Sequence, residues 1–153
     1  MIVYRVSKKI YANDISGIGA KLYGGRWNPA GMPVVYTSEH IALGLLEILV
    51  NANTLEDLQT LQLSEIEFPA NALIEEIKNG QLKKDWWRDF DYTQWLGSQI
   101  IKNSGCLAVK CPSAIIEKES NYILNPGHVD FKKVKLKTVT DFRFDERLFK
   151  ASV

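Results

Sequence analysis

Glu47 stands alone among apolar neighbours. From Ile41 to Val50 the chain reads Ile-Ala-Leu-Gly-Leu-Leu-Glu-Ile-Leu-Val, and the glutamate is its one polar side chain. A helix apolar on every side reads as buried rather than amphipathic. An unpaired carboxylate buried there would lose several kcal/mol of hydration or take up a proton, so Glu47 requires a cation, hydrogen-bond donors or a polar cavity beside it. A carboxylate in a buried cavity is a candidate active-site group.

A second cluster lies upstream, in Gly24-Gly25-Arg26-Trp27-Asn28-Pro29. The paired glycines let the backbone turn sharply and approach a ligand, because neither carries a Cβ. Arg26 offers a planar fork of donors suited to phosphate or carboxylate, Trp27 a flat face for stacking, and Asn28 before Pro29 an extended or turn conformation. The loop is neither a Walker loop, since no Gly-Lys-Ser/Thr follows, nor a Gly-x-Gly-x-x-Gly dinucleotide fingerprint. The same residues would also suit a tight turn with Arg26 pinned to a carboxylate. Tyr36, on the β-prone run Val34-Val35-Tyr36-Thr37, suits a core position or a substrate-stacking one.

The elements that must position these groups belong to one domain spanning residues 1–153, long enough to bury a core without metal or disulfide support. A composition 46% hydrophobic and 24% charged is that of an ordinary soluble globular protein, and a net charge of +1 argues against duplex nucleic acid as a partner. It leaves room for a small anionic ligand. Cys106 and Cys111 cannot close a zinc site, His40 and His128 show no ligand spacing with them, and two buried free thiols are expected. The N-terminus has no signal-peptide layout and no apolar run reaches the roughly 18 residues of a membrane span, so a cytoplasmic protein is expected.

In chain order, Ile2 to Val6 alternates as a strand, with Arg5 read as a basic residue on a solvated edge. Tyr11 to Gly31 holds five glycines and no sustained period, which predicts a long loop with at most a short helical turn. Val34 to Thr37 is a strand, and Ser38 a candidate N-cap for a helix running to about Asn51. Leu61 to Phe68 alternates as a strand, Asn71 to Lys78 reads as a short helix, and Asp91 to Ser104 as a helix with an aspartate cap and Gly105 past its end. The double tryptophan in Asp85-Trp86-Trp87-Arg88 reads as packing or an interface. Leu107 to Lys110, Asn121 to Leu124 and Val134 to Phe144 complete the β-rich half. Strands at both ends with helices between them predict an α+β domain.

Tyr4-Arg5, Gly25-Arg26-Trp27-Asn28, Val35-Tyr36-Thr37-Ser38, Leu46-Glu47, Pro112-Ser113-Ala114 and Asn121-Tyr122-Ile123-Leu124-Asn125-Pro126-Gly127-His128, taken together and in this order, resemble the RES domain family. The family takes its name from an arginine, a glutamate and a serine, here Arg26, Glu47 and Ser113. The resemblance runs from Tyr4 to about Phe149 and departs at Val129, where proline is expected, and between Gln59 and Trp95. It implies a compact fold similar to the diphtheria-toxin-type ADP-ribosyltransferases, with NAD bound in a cleft. It also implies a toxin that consumes NAD and is restrained by an antitoxin with an Xre-like helix-turn-helix domain, and it allows a homodimer. By this match Arg26, Tyr36 and Glu47 form the catalytic core, with Ser113 lining it and Arg5, Trp27 and Asn28 binding substrate.

The chemistry implied by the resemblance fits those side chains. The bond from nicotinamide to ribose breaks through a transition state of oxocarbenium character, and nicotinamide leaves neutral from a cationic ring, so no general acid and no cofactor is required. Glu47 would hold the ribose hydroxyls and stabilise the developing positive charge. Arg26 would pair with the NAD phosphates or with inorganic phosphate as a second substrate. Tyr36 would stack against the nicotinamide end, and Ser113 would hydrogen-bond the carboxamide or the incoming nucleophile. Water, phosphate or a protein side chain could each accept the ADP-ribose. A non-catalytic binding module, with Arg26 and Glu47 as a structural ion pair, is the alternative.

Overall fold

The computed structural model describes residues 1–149. Seven strands, β1 (Ile2–Lys8), β2 (Val35–Ser38), β3 (Leu61–Glu67), β4 (Ile74–Glu76), β5 (Ala108–Pro112), β6 (Ser120–Leu124) and β7 (Lys135–Asp141), form a sheet of order β4-β5-β6-β2-β1-β3-β7. Every neighbouring pair is antiparallel except β4 with β5. Three α-helices accompany them: α1 (Ile18–Tyr23), α2 (Ile41–Leu49) and α3 (Phe90–Asn103). The α+β class expected from the element order is the class observed.

Sequence periodicity explains the layering. Ala108, Val109, Cys111 and Pro112 of β5 and Tyr122, Ile123 and Leu124 of β6 are buried on both faces, as suits inner strands. On one side Val3, Val35, Ile66, Phe68, Leu107 and Leu124 form a core; a second core packs Ile101 of α3 on Val109, Cys111 and Ile123 together with Trp27 and Trp86. A third joins Val6, Leu58 and Leu61 to Ile48 and Leu49 of α2. The edge strand β7 exposes Lys135 and Lys137, charges that discourage pairing with another chain. Both cysteines are buried and free, as expected.

Four expectations are corrected. Asn71 to Lys78 is not a helix: Ile74 to Glu76 pairs in parallel with β5, Leu107 N–H donates to Leu73 O and Ile77 N–H to Lys110 O. A helix of eight residues is marginal without tertiary support, and the exposed edge of β5 supplies better hydrogen bonds. Ser38 does not cap α2; it ends β2, and His40 occupies the cap position without a side-chain cap bond. α2 is not buried on all sides, since only Leu43 and Gly44 are buried and Val50 is 62% exposed. Arg5 is not on an edge, because β1 lies between β2 and β3.

α3 begins at Phe90, with the Asp89 carboxylate accepting from Tyr92 N–H, and Gly105 follows its end at φ 63°. Midway along it, Gly97 lies so close to the 24–29 loop that an added Cβ would overlap the Trp27 carbonyl oxygen and stand 2.9 Å from its carbon. Both neighbours are backbone and cannot swing aside. Gly97→Ala should therefore lower the melting temperature by several degrees, because overpacking of about 1–3 kcal/mol outweighs the roughly 1 kcal/mol helix preference of alanine. Thermal denaturation checks this, and a melting temperature at or above that of the parent would contradict the close approach.

Candidate active site

A cavity of ≈ 680 Å³ opens between the 24–27 loop, β1, β2, α2 and the start of α3. α2 carries Glu47 to its wall by resting on β1 and β2, with Gly44 facing Val6 and Ser38. Glu47 Oε1 accepts from Asn121 Nδ2 at 2.6 Å and from Ser113 Oγ at 3.0 Å. Those two donors meet the requirement that an otherwise apolar segment imposes on its carboxylate. Among the described residues no donor meets Oε2.

Ser113 follows β5 and is fully buried. Its Oγ accepts from the N–H groups of Ile115 at 3.0 Å and Ile116 at 3.2 Å, which directs its own proton to Glu47. Ser113 thus acts on the site through the carboxylate rather than by lining the cavity.

Arg26 faces the same cavity, held without a carboxylate. Its Nη1 donates to Trp87 O at 2.8 Å, and its guanidinium carbon lies 4.4 Å from the Phe90 ring centroid and 5.9 Å from that of Trp86. Burial lowers its pKa from the ordinary value and the negative Glu47 opposes that shift, yet a guanidinium stays charged. Among the described residues no ion pair joins Arg26 to Glu47 or to any other acid. The structural ion pair expected of a non-catalytic module is not formed.

Tyr36 and Asn28 hold the loop that presents Arg26. The Tyr36 hydroxyl donates to Asn28 Oδ1 at 2.7 Å and accepts from Trp27 N–H at 2.9 Å, and burial pushes the phenol pKa up. Gly25 covers the ring so closely that a Cβ there would stand 2.6 Å from the hydroxyl oxygen. Asn28 is wholly buried, its Nδ2 directed to the carbonyls of Ala20, Pro29 and Met32. Gln94 of α3 adds a bond to Gly25 O at 2.8 Å.

The expected substrate-binding residues therefore divide. Asn28 has its hydrogen-bonding capacity committed within the protein. Trp27 is 2% exposed, its indole tilted against Trp86 with centroids 5.5 Å apart, so it packs in the core instead of presenting a stacking face. Arg5 borders the cavity; its Nη2 donates to Tyr11 O at 2.6 Å and Ala12 O at 3.4 Å, while its buried Nε has no partner.

Sequence reasoning missed three residues that border the cavity: Asn121, and the aromatic rim of Phe90 and Tyr23, 52% and 86% exposed. An asparagine directly before the apolar run Tyr122-Ile123-Leu124 was the available signal for the first; nothing local marked the other two. Among the described residues no group of three or more His, Cys, Asp or Glu side chains could hold a metal, and no helix is long and apolar enough to cross a membrane.

The RES domain matches residues 2–145. The chain belongs to the RES domain family. It is 39% identical over 156 residues to Toxin Res of Photorhabdus laumondii, covering 99% of both chains. It is 34% identical over 143 residues to the Prs ADP-ribosylating toxin of a Sphingobium species, covering 91% of this chain and 89% of that one. A chain in the crystal structure of the M. tuberculosis MbcT–MbcA toxin–antitoxin complex superposes with TM-score 0.74 at 19% identity, over 92% of this chain and 83% of that one. That likeness shows a shared fold. Arg26, Glu47 and Ser113 arrive from a loop, a helix and a post-strand turn that are distant in sequence.

Replacing Tyr36 with phenylalanine would strand Trp27 N–H and Asn28 Oδ1 together. We expect Tyr36→Phe to lose about 1–3 kcal/mol of stability from unpaired buried groups, read as a lower urea midpoint at unchanged slope. A midpoint equal to that of the parent would show the hydroxyl to be dispensable to the loop.

Proposed function

We propose that this RES protein is the toxin of a toxin–antitoxin pair and that it depletes NAD by cleaving the bond between nicotinamide and ribose. The observation that carries the reading is the opposition of two charges across one cavity, Glu47 fixed by two donors and Arg26 held by aromatic rings and a carbonyl, with no ion pair between them. Preorganised charge of this kind acts on a transition state without reorganising. As the bond breaks, its electron pair goes to the pyridinium nitrogen, nicotinamide departs neutral, and positive charge develops on the ribose where Glu47 stabilises it. Arg26 binds phosphate oxygens of NAD or the attacking inorganic phosphate. The relatives, two of them named as toxins and one solved in a toxin–antitoxin complex, support the toxin role and an antitoxin partner.

The partner is an antitoxin with an Xre-like helix-turn-helix domain, and the toxin works in the cytoplasm, as monomer or homodimer, without cofactor or direct contact to nucleic acid. Phosphate or water takes the ADP-ribose. A second reading, transfer to a protein, is favoured by the relative called an ADP-ribosylating toxin.

The test is release of nicotinamide from NAD by the purified protein freed of any partner. Release should fall by at least about 100-fold in Glu47→Gln, which keeps the shape and loses the charge, while the circular dichroism melt stays close to that of the parent. A folded E47Q protein as active as the parent would remove Glu47 from the chemistry. Product mass with and without phosphate then separates the acceptors: a phosphorylated ADP-ribose marks phosphorolysis, free ADP-ribose hydrolysis, and release that requires an added protein marks transfer. No release from the folded parent with all three acceptors supplied would return the protein to a binding role.

A further inference from the structure

Asn121 lies outside the arginine, glutamate and serine for which the family is named, yet it makes the shortest hydrogen bond to Glu47, 2.6 Å from Nδ2 to Oε1. A carboxylate only accepts, so the amide must turn its nitrogen to Glu47 and its oxygen away. That oxygen meets Ser38 Oγ at 2.7 Å, and since an amide oxygen cannot donate, Ser38 supplies the proton. Ser38 and Asn121 are paired across β2 and β6, which places their side chains on one face of the sheet, and Ser38 is 4% exposed beneath Gly44 of α2. A hydroxyl at this site has no evident packing purpose; its contact is with the amide.

We propose that Ser38 and Asn121 form a directed hydrogen-bond relay that positions the Glu47 carboxylate for catalysis, with Ser38 setting the amide orientation and Asn121 acting on Glu47. Ser113 approaches the same Oε1 from the neighbouring strand at the same end of the β5–β6 pair, with its own proton direction fixed by Ile115 and Ile116. Two oriented donors on one oxygen fix the carboxylate plane and leave Oε2 for the substrate. Both are positioning residues, and the inference rests on NAD cleavage as the activity.

The experiment measures nicotinamide release by the full chain across substrate concentration. Asn121→Ala should lower kcat by about 100-fold with KM within about threefold, and Ser38→Ala should lower kcat by about tenfold, because a misplaced carboxylate harms the transition state more than binding. Ser38→Thr, which retains the hydroxyl, should recover at least half of the parent rate. Asn121→Asp keeps the size of the side chain but sets an acceptor against Glu47, and it should lower kcat at least as far as Asn121→Ala, an order that lost packing would not produce. A folded N121A with kcat within twofold of the parent would overturn the proposal while E47Q still confirmed the activity. So would S38A and S38T losing activity equally, which remains readable should the Asn121 variants fail to fold. Absence of release from the parent itself would instead overturn the proposed function.

Discussion

A carboxylate on an otherwise apolar helix can be kept only where the fold brings donors to it. Glu47 obtains them from two segments remote in sequence, Ser113 after β5 and Asn121 in β6. Both stand at the same end of one antiparallel pair, where Pro112 faces Ser120 and Cys111 faces Asn121. The position of α2 over β1 and β2, and the register of β2 with β6 that sets Ser38 beside Asn121, are therefore bound up with one acceptor atom. A one-residue slip of β6 would send Asn121 to the opposite face and leave Glu47 with a single side-chain donor.

The opposite wall of the cavity depends on close backbone approach. Arg26 lies on a loop with little regular structure of its own, and the loop keeps its shape because Tyr36, Asn28 and Gln94 satisfy its polar groups from three directions. Two glycines make room for that network: Gly25 over the Tyr36 ring and Gly97 against the Trp27 carbonyl. The glycines thus serve packing around the arginine as much as access to a ligand. Aromatic rings and one carbonyl take the place of a carboxylate beside Arg26, which keeps its charge directed at the cavity.

Much of this was legible in the sequence because the signals were local. The alternation of Leu61 to Glu67 and the aspartate and glycine flanking α3 mark those elements unaided. The isolation of Glu47 among apolar residues predicted that donors or a cavity would accompany it, and both are present. What the sequence obscured was decided by distant partners. The 74–76 segment becomes a strand because β5 offers an open edge, and α2, read as buried all round, turns Glu47 to a cavity. Trp27 read as a stacking face from its chemistry and Asn28 as a substrate-binding group from the family resemblance; only the positions of Trp86, Ala20 and Met32 show that the core and the loop claim them first.

The two charged groups are held by different physics, and the difference bears on how each could act. Hydrogen bonds to Oε1 orient Glu47, a directional restraint suited to a group that faces a charge at one point of the cavity. Cation–π contact with Phe90 and Trp86 restrains Arg26 less sharply in angle, and Phe90 is half exposed at the mouth of the cavity, so the guanidinium can adjust its direction without giving up a fixed ion pair. Had the two residues met as a salt bridge, substrate binding would have had to break it and leave each charge partly desolvated. Keeping them apart, with a polar clamp on one and rings on the other, leaves both charges free to face the cavity between them.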